Sequence, residues 1–301
     1  MSWSDLHIAV VGGDEREQEI ARLAALEAGR VTAYGFPWPE GGVDGVVRAA
    51  TPAEAVRGAS YALFPIPGIA ADGSLFAPAA TEPIVPDAAL LSELAAGATV
   101  ILGAADERLR GAAAAAKVDL VEYEHDRELM MLRAPAIVEG ALELAIAHTD
   151  VTIHAAQVAV VGHGNIGALL ARTLRALGAR VIVAARNPAQ RAAASASGAA
   201  VAQLDDLPGL APRLSMVFST VPAPVVGSEV LRALPPGSLV MDLAAPPGGV
   251  DLQAARALGH TALWTRGLGR RAPVTVGASQ WSGIRRRIEL IEAGSDLAGL
   301  G

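Results

Sequence analysis

Residues 157–187 pass through a strand, a glycine-rich turn, a helix and a second strand within one short unit, and few folds accept that pattern. Gln157–Val161 is an apolar run of strand length that ends at a glycine. Gly162, Gly164 and Gly167 then spell G-x-G-x-x-G, with His163, Asn165 and Ile166 between them. Leu169, Leu170, Leu174 and Leu177 follow at helical spacing, Gly178 stops the helix, and Arg180–Ala184 is a second apolar strand. In such a unit the first glycine allows a tight turn, the second lets the backbone approach a pyrophosphate, and the third lets helix and strand pack closely. The helix N-terminus then presents free N–H groups and a positive dipole to the phosphates. The motif alone is weak evidence, but here it stands between a strand and a helix, the context that a dinucleotide site requires.

The end of the second strand selects the cofactor. NAD sites carry an acid there for the ribose 2′-hydroxyl, and NADP sites replace it with a cation. Here Ala184 and Ala185 lead to Arg186 and Asn187, with no acid. A guanidinium binds a 2′-phosphate through paired, charge-assisted hydrogen bonds. The expected cofactor is therefore NADP, held by Gly162, Gly164, Asn165, Ile166, Gly167, Arg186 and Asn187. Thr220, Val221 and Pro222, at the end of a later strand, should pass beside the ribose. The small Ala244 should leave room for the nicotinamide.

A chain of 301 residues is long enough for two ordinary domains. The longest apolar run, residues 94–105, is shorter than the roughly 20 residues that span a bilayer. No signal-type segment opens the chain, so the expectation is a cytoplasmic protein with no membrane partner. There is no cysteine, which removes disulfides and thiolate chemistry, and the six histidines show no close ligand pair, so no metal is expected. The net charge of −7, with no basic run, argues against nucleic acid. Lys117 is the only lysine, so every other permanent side-chain cation is an arginine.

The N-terminal half repeats the architecture without the full fingerprint. Strands are expected at 6–11, 31–34, 61–64, 99–102 and 118–123, with helices at 15–27, from a capping box at Thr51, at 87–96 and at 106–116. Five strands alternating with helices imply a parallel sheet in flavodoxin-like order. A helix at 135–149 should connect the halves. The second half continues with strands near 199–204, 215–220, 238–243 and 261–265, and a closing helix near 278–293. The fold class is α/β: two doubly wound, Rossmann-like domains with an interdomain cleft. The expected division is 1–133, a linking helix at 134–150, a nucleotide domain at 151–272, and a C-terminal helix at 273–301 that packs back toward the N-terminal domain.

Several segments together resemble the family of the dipicolinate synthase A-subunit. The most specific runs from Val138-Glu139-Gly140 through Ala145-Ile146-Ala147-His148-Thr149-Asp150 and Thr152-Ile153-His154 into the nucleotide strand. Gly12-Gly13-Asp14 with Arg16 resembles the family's opening turn. Asp242-Leu243-Ala244 with Pro247-Gly248-Gly249 resembles a later loop, and Ala272-Pro273 with Thr275 and Gly277 the last one. The last loop departs from the family, because Val274 stands where the family carries lysine; Arg270 and Arg271, nearby, could restore the charge.

The resemblance implies an NADP-dependent oxidoreductase that forms dipicolinate (pyridine-2,6-dicarboxylate) from a dihydrodipicolinate-type dicarboxylate. It implies the dipicolinate synthase B-subunit for a partner and the mother cell of a spore-forming bacterium as the setting. A homo-oligomer is left open. Such a reaction needs a hydride acceptor, a base and cations for two carboxylates. Arg16, Arg133, Arg270 and Arg271 are the candidate cations; His148, His154 and Glu139 are the candidate bases. Two other readings stay open: a hydroxyacid or alanine dehydrogenase-like enzyme, and a nucleotide-sensing binding protein.

Overall fold

A computed structural model describes residues 2–295 of the chain. They form two compact units. Unit 1 takes the chain up to Arg133 together with the segment from Ala272 onward, and unit 2 is Ala134–Arg271.

Unit 1 contains β1 (His7–Val11), α1 (Glu15–Ala24), β2 (Arg30–Tyr34), β3 (Val46–Arg48), α2 (Pro52–Val56), β4 (Tyr61–Leu63), α3 (Ala88–Leu91), β5 (Thr99–Leu102), α4 (Glu107–Ala116) and β6 (Asp119–Glu122). Its six strands are all parallel, in the order β3-β2-β1-β4-β5-β6. The central strands are apolar runs because helices cover both of their faces. Ala9, Val11 and Val100 face one layer, and Ile8, Val10 and Ile101 face the other. Burying each Ile or Leu contributes about 1.5–3 kcal/mol.

Helix α5 (Arg127–Ala147) begins in unit 1 and ends in unit 2. Unit 2 continues with β7 (Gln157–Val161), α6 (Asn165–Ala176), β8 (Arg180–Ala184), α7 (Pro188–Ala196), β9 (Ala200–Ala202), α8 (Leu207–Leu210), β10 (Met216–Ser219), α9 (Ser228–Ala233), β11 (Leu239–Asp242), α10 (Leu252–Ala257) and β12 (Thr261–Trp264). Its parallel order, β12-β11-β10-β7-β8-β9, is that of unit 1 read from the other edge. Both units are Rossmann-like. The last helix, α11 (Pro273–Glu292), belongs to unit 1, where Trp281, Ile284 and Ile288 join the core beneath α1. At Gly277 a Cβ would stand 2.6 Å from the Arg16 carbonyl, so only glycine lets α11 lie this close.

Several local expectations are corrected. The five N-terminal strands keep the expected mutual order, but β3 adds a sixth at the edge, where it is too short and exposed to show a hydrophobic pattern. The connecting helix starts at Arg127 rather than 135, with Pro135 inside it. Arg127-Glu128-Leu129-Met130-Met131-Leu132 are good helix formers that carry the helix through the proline despite its lost hydrogen bond. The helix expected at 87–96 shrinks to α3, one turn capped by the Asp87 side chain. The closing helix starts earlier, with Pro273 in its first turn, where a missing N–H costs nothing. Among the described residues, no helix is long and apolar enough to cross a membrane.

Candidate functional site

The glycine fingerprint lies where β7 turns into α6, and its glycines meet different surroundings. Gly162 has φ +96°, and a Cβ there would stand 2.6 Å from the Thr220 hydroxyl and 2.8 Å from Val221. At Gly167 a Cβ would approach the Gly162 carbonyl to 2.4 Å. These two are fixed by the protein's own packing. Gly164 is not: nothing lies within 4 Å of a Cβ built there, and its φ is an ordinary −86°. It is the N-cap of α6 with no side-chain cap, so the first-turn N–H groups, including those of Asn165, Ile166 and Gly167, lack intrahelical acceptors.

A cavity of about 390 Å³ opens in front of this turn. Gly162, His163 and Gly164 form one wall, Ala185, Arg186, Asn187 and Gln190 a second, and Thr220, Val221 and Pro222 a third. Among the described residues, no aspartate or glutamate lines it. Each wall follows the carboxyl end of a strand, where open α/β sheets bind their ligands. The Thr220 hydroxyl donates to the Val161 carbonyl at 3.1 Å and ties the β10 exit to the β7 exit. Burial holds the pKa of the His163 imidazole below its usual value.

Arg186 is exposed at the rim. Its neighbour Arg191, which the spacing of the fingerprint does not single out, donates to the Ala185 and Arg186 carbonyls, both at 2.7 Å, and fixes the turn that carries Arg186. An arginine five residues after the first is the signal that could have found it. Asn187 has a structural duty: its side-chain oxygen accepts from the Ala189 N–H at 2.8 Å and caps α7. Ala244 does not line the cavity. It is buried after β11, with its N–H on Asp242 at 3.0 Å and its carbonyl taking the Trp264 indole N–H at 3.0 Å. Asp242, buried, also accepts from Gly249 at 2.7 Å and Val250 at 3.2 Å, so one carboxylate organises the whole 243–250 loop.

The corresponding turn of unit 1 is built differently. Asp14 caps α1 and grips Arg16 with both oxygens, at 2.8 and 3.0 Å. Glu17 folds back to accept from the Asp14 N–H at 2.9 Å, and a Cβ on Gly13 would meet Glu17 at 2.3 Å. Two carboxyl groups therefore fill the helix end that unit 2 leaves open, and a phosphate is unwelcome there.

The structure places the two candidate histidines away from the cavity. His154 precedes β7 and sits against Gly178, at the amino edge of the sheet. Five strand residues, roughly 16 Å at about 3.3 Å each, separate that edge from the fingerprint turn. On α5, Gly140 packs on Leu268 after β12, so His148, eight residues further on, lies about 12 Å toward the same amino edge. His148 is exposed at the helix end. Glu139 pairs with Arg271, which also holds Glu143 at 3.2 Å; all three are partly exposed, and Arg271 is already matched with two carboxylates. Arg270 is exposed in the short 3₁₀ turn Leu268–Arg271.

Comparison with known proteins gives this architecture relatives. Residues 7–124 match the family model of the dipicolinate synthase A-subunit N-terminal domain. Residues 136–244 match that of the D-isomer specific 2-hydroxyacid dehydrogenase NAD binding domain. The chain is 33% identical over 273 residues to the dipicolinate synthase A-subunit of Bacillus subtilis (strain 168), covering 90% of this chain and 92% of that one. The crystal structure of the B. subtilis protein superposes with a TM-score of 0.84 at 31% identity, covering 96% of this chain and 98% of that one. The structure from Bacillus halodurans gives the same TM-score at 29% identity, covering 95% and 98%. Unit 2 thus contains a nicotinamide-dinucleotide-binding domain of dehydrogenase type, and the chain is an oxidoreductase.

Proposed function

Because the chain belongs to the dipicolinate synthase A-subunit family, we propose that it oxidises a dihydrodipicolinate-type dicarboxylate to dipicolinate with NADP⁺ as the hydride acceptor. The setting proposed with it is a sporulating cell, and the partner is the B-subunit of the same synthase. The observation that carries the cofactor choice is the acid-free wall of the 390 Å³ cavity with Arg186 at its rim. A 2′-phosphate brings about two negative charges, which an aspartate at this position would repel and a guanidinium attracts.

Gly162, Gly164 and the first turn of α6 would take the pyrophosphate, Thr220–Pro222 would pass the ribose, and Arg186 would take the 2′-phosphate. The bound cofactor supplies the hydride acceptor. The protein's share is to position the two partners and keep water out, and a small uncharged wall residue such as Val221 suits that task. The substrate loses one hydride and one ring proton and becomes aromatic, so the chemical demand on the side chains is modest.

Arg186→Ala tests the cofactor assignment. The variant is expected to bind NADP⁺ more weakly by roughly 1.5–3 kcal/mol, the worth of a charged hydrogen bond, and NAD⁺ as before. Calorimetry with both cofactors reads this out. Equal affinity of the wild type for NAD⁺ and NADP⁺ rejects the assignment.

A further inference from the structure

The exit of β8 is held by one residue of the helix that follows it. Arg191, near the start of α7, takes three consecutive backbone carbonyls. Its guanidinium Nη1 donates to those of Ala185 and Arg186, both at 2.7 Å, and its own backbone N–H donates to that of Asn187 at 3.1 Å. The carbonyl before these, of Ala184, accepts from the Gly162 N–H at 2.8 Å. Arg191 is itself firmly seated. Asn187 caps α7 through its side chain, and Ala194, one turn beyond Arg191, is fully buried in the core of unit 2.

The two carbonyls on Nη1 belong to the peptide groups on either side of the Arg186 Cα. A peptide group is planar, so fixing both planes fixes the two backbone dihedrals of Arg186 and with them the direction in which its side chain leaves the chain. One NH₂ group has two N–H bonds, one for each carbonyl. The Arg186 guanidinium needs that guidance: it stands exposed on the cavity wall and has no hydrogen bond or ion pair of its own among the described residues. Arg191 does not line the cavity, so its effect on a ligand has to pass through the segment it holds. We infer that Arg191 is a positioning residue for cofactor selection: by clamping both peptide planes that flank Arg186, it aims that guanidinium at the 2′-phosphate and sets the preference for NADP⁺ over NAD⁺. The inference rests on the NADP reading proposed above.

The test is calorimetry with NADP⁺ and NAD⁺ on the intact chain, reading the ratio of the two dissociation constants, with thermal melts to show that each variant is folded. Arg191→Met should lower the preference for NADP⁺ by about two- to tenfold, the cost of ordering one long side chain at binding, and leave NAD⁺ affinity as it was. In an Arg186→Ala background the same substitution should change nothing further, because no guanidinium is left to aim. An unchanged ratio in Arg191→Met overturns the inference. So does an equal loss for both cofactors, which marks a purely structural arginine, or the same factor in both backgrounds, which marks an arginine acting by its charge alone. Should Arg191→Met fail to fold, Arg191→Gln, neutral and shorter, is read by the same criteria. A wild type without preference defeats the cofactor reading and the inference together. A preference that Arg186→Ala removes and Arg191→Met leaves intact defeats the inference alone.

Discussion

Gly164→Val is expected to abolish dinucleotide binding while the protein melts as the wild type does. Both halves of this expectation rest on open space: beyond its chain neighbours, no described atom lies within 4 Å of a Cβ built at this position. The backbone there is extended, with φ −86°, so a β-branched residue fits without strain. The side chain would then project over the uncapped start of α6, where the pyrophosphate must come within hydrogen-bond distance of the N–H groups. Gly162→Ala is the contrast. Its φ of +96° and the 2.6 Å approach to Thr220 predict a destabilised unit 2 whether or not a ligand is present. Thermal melts and cofactor titrations on both variants separate a glycine kept for the fold from one kept for the ligand. If Gly164→Val retains wild-type affinity, the phosphates lie elsewhere.

Glu17→Gln is expected to change the pH dependence of stability. Burial raises the Glu17 pKa to about 7, against the usual 4.5 of an unfolded chain, and the nearby Arg16 offsets only part of that rise. Below about pH 4.5 the carboxyl is neutral in both states. Between about 4.5 and 7 the unfolded chain releases this proton while the folded protein keeps it, so stability falls as pH rises, and it levels off above 7. A shift of this size corresponds to on the order of 3 kcal/mol. Glutamine keeps the acceptor for the Asp14 N–H but cannot ionise. Urea melts at pH 4.5 and 8 should show the variant gaining on the wild type by about that amount at the higher pH. A constant difference across the range would mean that Glu17 is ionised in the folded protein as well.

Much of unit 2 is legible in the sequence because one local pattern carries it. The apolar run into Gly162, the helix repeat from Leu169 and the second strand before Arg186 are contiguous, so spacing alone locates the turn and its walls. Unit 1 is less legible. Its first turn has the same topology, but Gly13-Asp14 is followed by Glu17, a capping pair whose closure over the helix end depends on side-chain direction. Strand β3 escapes because three residues at an exposed edge show no periodicity. The histidines illustrate a different limit. His148 and His154 stand close to the fingerprint in sequence, yet a parallel strand delivers its preceding residues to one edge of the sheet and its following residues to the other.

The central claim, NADP-dependent formation of a pyridine dicarboxylate, is tested most directly by one turnover measurement. The chain is incubated with dihydrodipicolinate and NADP⁺ or NAD⁺, alone and with the B-subunit of the synthase, and reduced cofactor and pyridine-2,6-dicarboxylate are quantified together. One NADPH should appear for each dicarboxylate formed, with NADP⁺ clearly preferred and Gly164→Val inactive. Equal or faster turnover with NAD⁺, or dicarboxylate appearing without reduced cofactor, contradicts it, as does no turnover under any of these conditions.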